Sequence, residues 1–117
     1  MQTAANGSGI VATENTKMNG TVTQLKQAEL IKVRINAEFD RIARALETSA
    51  AKQTGQDRMD TEAVILILED KRAEVMSKGQ ADYFINNWRE LSFHVREMIV
   101  RDSRYLAIHT KKALRRR

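Results

Sequence analysis

The chain has 117 residues, of which 42% are hydrophobic and 30% are charged, and its formal net charge is +5. This length and balance predict one folded domain with a modest core and exclude an intrinsically disordered chain. The lack of Cys excludes disulfides, thiolate metal sites and cysteine nucleophiles. The lack of Pro, together with only five Gly, predicts an all-α fold with long helices. No apolar run approaches the roughly 18 residues of a membrane-spanning helix, which predicts a soluble, cytoplasmic protein.

The first 20 residues, Met1–Gly20, are polar and small and show no hydrophobic periodicity. They predict a flexible N-terminal arm ahead of a single helical domain over residues 21–117. The arm lacks the basic and apolar segments of a secretory signal peptide. Its Thr- and Asn-rich composition is similar to that of the N-terminal signals of type III secretion substrates. This similarity implies non-classical export and an alternative function, a small helical component or chaperone of a protein secretion system whose arm is an export or partner-binding segment.

A first long helix is predicted over about Thr21–Ala51, because apolar residues recur there at intervals of three and four and so share one helix face. Leu30, Val33 and Ala37 form a second apolar line beside this face. A polar loop around Gly55 ends the helix. The main apolar face consists of Ala28, Ile31, Ile35, Phe39, Ile42 and Leu46.

The segment Thr61–Lys78 contains five consecutive apolar residues, Val64–Leu68, which fit either a buried strand or a buried helix. The helix is favoured, because helix-forming residues follow the apolar run and Lys78-Gly79 is a typical helix end. We therefore predict a shorter, strongly apolar helix at the centre of a bundle or of an interface.

The last stretch, Ala81–Arg117, predicts a second long helix, since no Pro or Gly interrupts it and its apolar residues repeat every seven positions. Phe93, Val100, Ala107 and Leu114 form another apolar line on a different face. Three helices cannot bury this many apolar lines within one chain. We therefore predict a helical hairpin or bundle with coiled-coil packing that forms a homo-oligomer. The residues predicted to mediate self-association are Phe84, Trp88, Leu91, Val95 and Met98.

Basic residues are concentrated at the C-terminal end of the chain. Residues 96–117 contain eight Lys or Arg and two acidic residues, a net charge of +6. A helix with this charge is typical of a binding site for phosphates or for an acidic protein surface, and nucleic acid is the first choice. A favourable interaction with the helix dipole is the purely structural alternative. The predicted anion-binding residues are Arg96, Arg101, Arg104, Lys111, Lys112, Arg115, Arg116 and Arg117.

Two groups of polar residues are candidates for a chemical site. Glu90, His94 and Glu97 have the spacing of metal ligands on one helix face. The order of Glu and His is reversed relative to the motif of di-iron helical bundles, and the first helix carries no His, so we predict no metal site.

The second group, Asp102, Tyr105 and His109, fits either acid/base chemistry or a polar contact that fixes helix register. The chain has no nucleophile elbow, no phosphate-binding Gly loop and no dinucleotide fingerprint. We therefore predict no enzyme, no catalytic residue, no cofactor and no small-molecule substrate. The expected function is that of a structural or adaptor protein that assembles through its apolar faces and binds an anionic partner through its basic end.

Overall fold

The computed structural model describes residues 18–116, and these residues form an all-α protein. The only strand-like feature among them is an isolated bridge between Asn19 and Gln80. The all-α fold predicted from the sequence is therefore confirmed. The helices in this part of the chain are α1 (Val22–Ala51), α2 (Gly55–Met76), α3 (Ala81–Asn87), α4 (Leu91–Val100) and α5 (Ser103–Arg115).

Helix α1 has nearly the predicted bounds, because a capping box fixes its start. Thr21 Oγ1 accepts a hydrogen bond from the backbone N–H of Gln24 at 3.1 Å, and Gln24 Oε1 accepts one from the backbone N–H of Thr21 at 2.9 Å. This reciprocal pair satisfies two donors near the helix start. On the predicted apolar face, Ala28, Ile35 and Phe39 are fully buried.

Helix α2 begins at Gly55, six residues before the predicted start, and its 22 residues make it a second long helix rather than a short one. The apolar run Val64–Leu68 lies inside α2, which confirms the helical interpretation. This run has a buried side and an exposed side, since Leu66 is 67% exposed. Helix α2 packs along α1, where Arg72 Nη1 donates a hydrogen bond to Asp40 Oδ1 at 2.6 Å.

The prediction of a single long helix over Ala81–Arg117 is wrong, because the chain leaves the helical conformation twice. At the first break, Asn87 Nδ2 donates a hydrogen bond to the carbonyl of Tyr83 at 2.8 Å. Asn is a weak helix former whose side chain competes for backbone hydrogen bonds. Trp88 follows with φ −123° and ψ 35° and is only 5% exposed, so the break turns the indole into the core.

The second break lies at Asp102, which has φ −65° and ψ 137° and is the N-cap of α5. Its carboxylate accepts a hydrogen bond from the backbone N–H of Arg104 at 2.8 Å. Asp is among the most favoured N-cap residues, and a carboxylate is costly to bury in an apolar helix face. Because α4 ends before Asp102, the carboxylate of Asp102 can bind both backbone and side-chain donors. Inside a continuous apolar helix face it would lack these partners.

The predicted arm lies almost entirely outside the described residues, which include only its last three positions. Met18 is buried in the core. The backbone N–H of Asn19 donates to the carbonyl of Gly79 at 2.8 Å, and the N–H of Ala81 donates to the carbonyl of Asn19 at 3.0 Å. Gly20 has φ +155°, and a Cβ on it would lie 3.0 Å from the Cβ of Ala81. Residues 18–20 are thus fixed against the connection between α2 and α3.

The core lies where the helices meet: α3 and α4 pack against α1, and α4 and α5 pack against α2. The described chain is elongated, with extents of 66 × 26 × 23 Å. Helix α5 contributes no fully buried side chain. Over residues 18–116, no helix combines the length and the apolar content needed to cross a bilayer. The largest fully buried side chains are Phe39, Phe84, Ile35, Ile67, Leu68, Val75 and Val95.

Candidate anion-binding surface

The residues predicted to mediate self-association lie at the contacts between the helices of one chain. Phe84 and Val95 are fully buried, and Trp88 is nearly so. Leu91 and Met98 are partly buried and pack against the same core. Most of this apolar surface is therefore already covered by the chain's own helices.

Helix α5 holds four of the eight predicted anion-binding residues, and it is attached to the rest of the chain by few apolar contacts. Tyr105 and Ile108 are half-buried and pack against the core. On its outward side, Leu106 and Leu114 are 55% and 58% exposed. Ion pairs to α2 supply further contacts that hold the helix in place.

The first ion pair involves Arg104, near the start of α5. Its Nη1 lies 2.7 Å from Asp70 Oδ2 of α2, and its Nε lies 2.9 Å from Asp102 Oδ1. The two carboxylates raise the pKa of the Arg104 guanidinium, with Asp102 as the larger cause. In return, hydrogen bonds from the side chain and the backbone of Arg104, and then from Lys71, hold the pKa of Asp102 well below its ordinary value. Arg104 is therefore engaged by two carboxylates of its own chain, one on α2 and one at the start of α5.

The second ion pair joins Arg115, near the end of α5, to the buried carboxylate of Asp60 on α2. Gln56 Nε2 donates a hydrogen bond to Asp60 Oδ1 at 2.8 Å. The pKa of Asp60 is lowered, first by the hydrogen bond from Gln56 and then by Arg115, with a smaller effect from Lys112. Lys112 is half-buried and lines a cavity of about 120 Å³ together with Asp60.

A further ion pair lies at the C-terminal end of α4, where Arg101 Nε lies 2.7 Å from Glu97 Oε1.

Three of the predicted cations remain exposed with no carboxylate within 4.0 Å among the described residues: Arg96, Lys111 and Arg116. Arg117 lies outside the described residues. The predicted basic surface is therefore divided, because Arg101, Arg104 and Arg115 are engaged by carboxylates of the same chain.

The helix breaks also separate Arg96 from α5. Arg96 is a residue of α4. Its side chain lines a cavity of about 190 Å³ between α1 and α4, together with Glu38 and Arg41. Along the same boundary, Arg34 of α1 and Arg89 of the turn before α4 line a second depression. We call this boundary the arginine groove and define it by Arg34, Arg41, Arg89 and Arg96.

Sequence reasoning missed Arg34 and Arg41 as site residues. Their signal is a spacing of seven residues, which Arg89 and Arg96 share. Within the groove, Arg41 pairs with Glu38 at 2.5 Å. The hydrogen bond from Arg41 is the largest cause of the lowered pKa of Glu38, and Arg96 lowers it further. Four guanidinium groups against one carboxylate leave the groove positively charged.

The polar group at the α4–α5 boundary is only partly assembled. His109 Nε2 and the Tyr105 hydroxyl lie 2.8 Å apart, whereas the carboxylate of Asp102 is engaged by Arg104 and Lys71. His94 lies against the Trp88 ring, with 4.3 Å between the ring centroids. Within residues 18–116, no three His, Asp or Glu side chains are placed to share a metal ion. The spacing of Glu90, His94 and Glu97 therefore does not correspond to a cluster of metal ligands.

Comparison of the chain with protein-family models, with curated proteins and with solved structures gives no significant match.

Proposed function

We propose that the protein is a non-enzymatic, self-assembling helical adaptor whose basic C-terminal end binds an anionic partner, with nucleic acid as the first choice and an acidic protein as the second. The observation that carries the anion-binding proposal is the set of exposed cations Arg96, Lys111 and Arg116, which have no carboxylate within 4.0 Å among the described residues. Binding to such cations is sequence-independent, because phosphate contacts position a nucleic acid without reading its bases.

Self-assembly is supported by large hydrophobic side chains on the outer surface. On α1, Val22, Leu30 and Val33 are each about two-thirds exposed, and on α5 Leu106 and Leu114 are more than half exposed. Contiguous apolar side chains on a soluble surface are typical of sites that contact another macromolecule. Because exposed apolar residues lie on both α1 and α5, the chain offers more than one surface to further copies of itself.

The test of anion binding is a titration of labelled duplex nucleic acid, followed by fluorescence anisotropy at about 50 and 200 mM salt. If Arg96, Lys111 and Arg116 each replace one counterion, affinity should fall about 40-fold between these two concentrations. The variant Lys111→Ala/Arg116→Ala keeps one of the three contacts, and its affinity should fall only about threefold to fourfold over the same range.

The matched control is Lys26→Ala/Arg44→Ala, which removes two exposed cations from α1 and should keep the steep salt dependence of the wild-type protein. Undetectable binding, or binding that ignores salt, would rule out nucleic acid as the partner. An equal loss of salt dependence in the control would show that net charge, rather than the C-terminal end, determines binding.

A further inference from the structure

The arginine groove has an apolar floor between charged edges. Around Arg34 and Arg89 the floor includes Leu30 and Ile85. Around Arg41 and Arg96 it includes Ile42, Leu46, Ile99 and Val100. Arg34, Arg89 and Arg96 have no carboxylate within 4.0 Å among the described residues, so their charge is available to a ligand. A ligand that fits must therefore carry apolar groups in its middle and negative charges beside them.

The outer side of α2 has this composition. Glu62, Leu66, Glu69 and Ala73 follow one another at intervals of three and four, which places them on one line along the helix. All four are exposed, and Leu66 projects between the two Glu residues with 67% of its surface accessible. Met59, which is 61% exposed, extends the apolar part of this line by one turn. We call Glu62, Leu66, Glu69 and Ala73 the acidic ridge.

We propose that the acidic ridge of one copy docks into the arginine groove of another copy. This proposal rests on the self-assembly proposed above and assigns the surfaces that form the contact. Leu66 would lie on the apolar floor, while Glu62 and Glu69 would face the arginines at the edges. The occupant is a second copy, because the same chain presents both the cationic groove and a helix of complementary charge and apolarity.

The spacing of the charges matches along the two surfaces. Glu62 and Glu69 are seven residues apart on α2, and Arg34 and Arg41 are seven apart on α1. Arg41 is itself paired with Glu38, but Arg96 lines the same cavity, so Arg34 and Arg96 are the expected partners. Seven helical residues correspond to about 10.5 Å along the axis, so both glutamates can meet arginines in one register when the helices lie nearly parallel or antiparallel. A shift by one helical turn would place Leu66 against charged side chains and lose both ion pairs.

The ridge glutamates already take part in pairs within α2. Glu62 lies 3.3 Å from Arg58, and Glu69 lies 3.1 Å from Arg72. Glu62 and Arg58 are both more than half exposed, so their pair contributes little. Arg72 is only 17% exposed, but it keeps its hydrogen bond to Asp40 Oδ1 when Glu69 turns toward the groove. Burial of Leu66 favours the docked state.

The groove and the ridge are two different surfaces of the molecule. The buried residues of α2, such as Ile67, Leu68 and Val75, face the core, whereas the ridge faces away from them. The groove lies between α1 and the α3–α4 segment, and its only α2 residue is Val64 on the core-facing side of that helix. A contact between two different surfaces is heterologous, so each added copy leaves one groove and one ridge free. The expected assembly is a ring or an open stack rather than a closed two-fold dimer.

The test uses two charge-reversed variants of the whole chain. The groove variant is Arg34→Glu/Arg96→Glu, and the ridge variant is Glu62→Arg/Glu69→Arg. Each variant alone sets like charges against each other, so its dissociation constant for self-association should rise at least about tenfold. An equimolar mixture restores opposite charges at every contact and should associate again. The measurement is mass in solution by sedimentation velocity over a concentration series, with the 13.4 kDa single chain as reference.

The control is Lys26→Glu/Arg44→Glu, which makes the same change in net charge on the part of α1 outside the groove. These two residues are exposed, and neither of them lines the groove. The control should associate like the wild-type protein. Fluorescence of the buried Trp88 and thermal melting verify that each variant is folded.

Each outcome bears on a different proposal. A wild-type protein that stays a single chain at every concentration overturns both the self-assembly proposal and this docking. A wild-type protein that associates while both variants associate equally well overturns the docking alone. A mixture that fails to associate, or a control that dissociates as strongly as the groove variant, overturns it as well. Dissociation of each variant with recovery in the mixture supports the docking of ridge into groove.

Discussion

Replacement of Phe84 by Ala distinguishes a core role from an interface role for the apolar residues of the C-terminal part. Phe84 is fully buried, its ring meets the Tyr83 ring edge-on at 5.1 Å, and Lys32 Nζ lies 5.5 Å from its centroid. Truncation of a buried Phe to Ala typically costs about 3–5 kcal/mol, through lost transfer free energy and the cavity left behind. For a domain of this size, such a loss lowers Tm by at least about 12 °C.

The assay is urea unfolding of the wild-type protein and Phe84→Ala at two protein concentrations tenfold apart. Trp88 is the only Trp, and it is buried, so its fluorescence reports the core directly, while circular dichroism reports helix content. Because Phe84 is buried by its own chain, the loss of unfolding free energy should be the same at both concentrations. A loss that appears only at the higher concentration would show that Phe84 belongs to an interface between copies.

Phe93 provides a control of the same residue type in the same part of the chain. Its side chain is 55% exposed, and substitution of surface residues usually changes stability by no more than about 0.5 kcal/mol. Phe93→Ala should therefore unfold like the wild-type protein in dilute solution. If Phe84→Ala also lies within about 1 kcal/mol of the wild-type protein, the placement of α3 against α1 is incorrect.

Three further predictions concern the backbone, the ion pairs of α5 and the response to acid. Gly20→Ala should lower the unfolding free energy by more than Gly55→Ala. Both glycines have a φ that residues with a side chain rarely adopt, and at Gly55 this costs about 1–2 kcal/mol. Only Gly20 also has a close neighbour, the Cβ of Ala81 at 3.0 Å, in the path of a Cβ. Asp70→Asn should strengthen binding to duplex nucleic acid, because it removes a negative charge and frees Nη1 of Arg104, while the pair of Arg104 with Asp102 remains. Unchanged anisotropy titrations would contradict this. The pKa of Asp60 is lowered in the folded state, so its ionised carboxylate stabilises the fold above about pH 4. This stabilisation is lost as the pH falls through the folded-state pKa. Asp60→Asn lacks the carboxylate, so its unfolding free energy, measured with urea, should fall less than that of the wild-type protein between about pH 5 and pH 2.

The sequence was sufficient to predict those elements whose signals are local. The periodicity of α1 and its capping residues lie within the helix itself, so its bounds could be predicted nearly to the residue. The helical state of Val64–Leu68 also followed from the residues that come after it. For α1 the pattern and the helix propensity favour the same structure. For Val64–Leu68 the pattern alone fits two structures, and the helix-forming residues that follow decide between them.

The breaks of the C-terminal part were missed because its apolar repeat continues across them. Helix α3 packs against α1, α4 against both α1 and α2, and α5 against α2, so residues on both sides of each break still face the core. The repeat therefore predicts one helix even where the backbone turns. The signals of the breaks were single residues, Asn87 and Asp102, whose side chains bind nearby backbone groups in preference to continuing the helix.

The position of the charges depends on these breaks and could not follow from a helical wheel. In one continuous helix, Arg89, Arg96, Arg104, Lys111 and Arg115 would share an arc and form a single basic stripe.

The turns at Trp88–Glu90 and at Asp102 redirect the chain. Arg89 and Arg96 come to lie along α1, where they meet Arg34 and Arg41, whereas Arg104 reaches a carboxylate of α2. One predicted basic stripe thus becomes two separate surfaces, a groove with an apolar floor and an end that is partly neutralised by its own chain. An apolar floor matches a protein helix better than a phosphate backbone, which is why the groove is assigned to a second copy and Lys111 and Arg116 at the exposed end to the anionic partner. Arg96 belongs to both sets, so a second copy and an anion would compete for it.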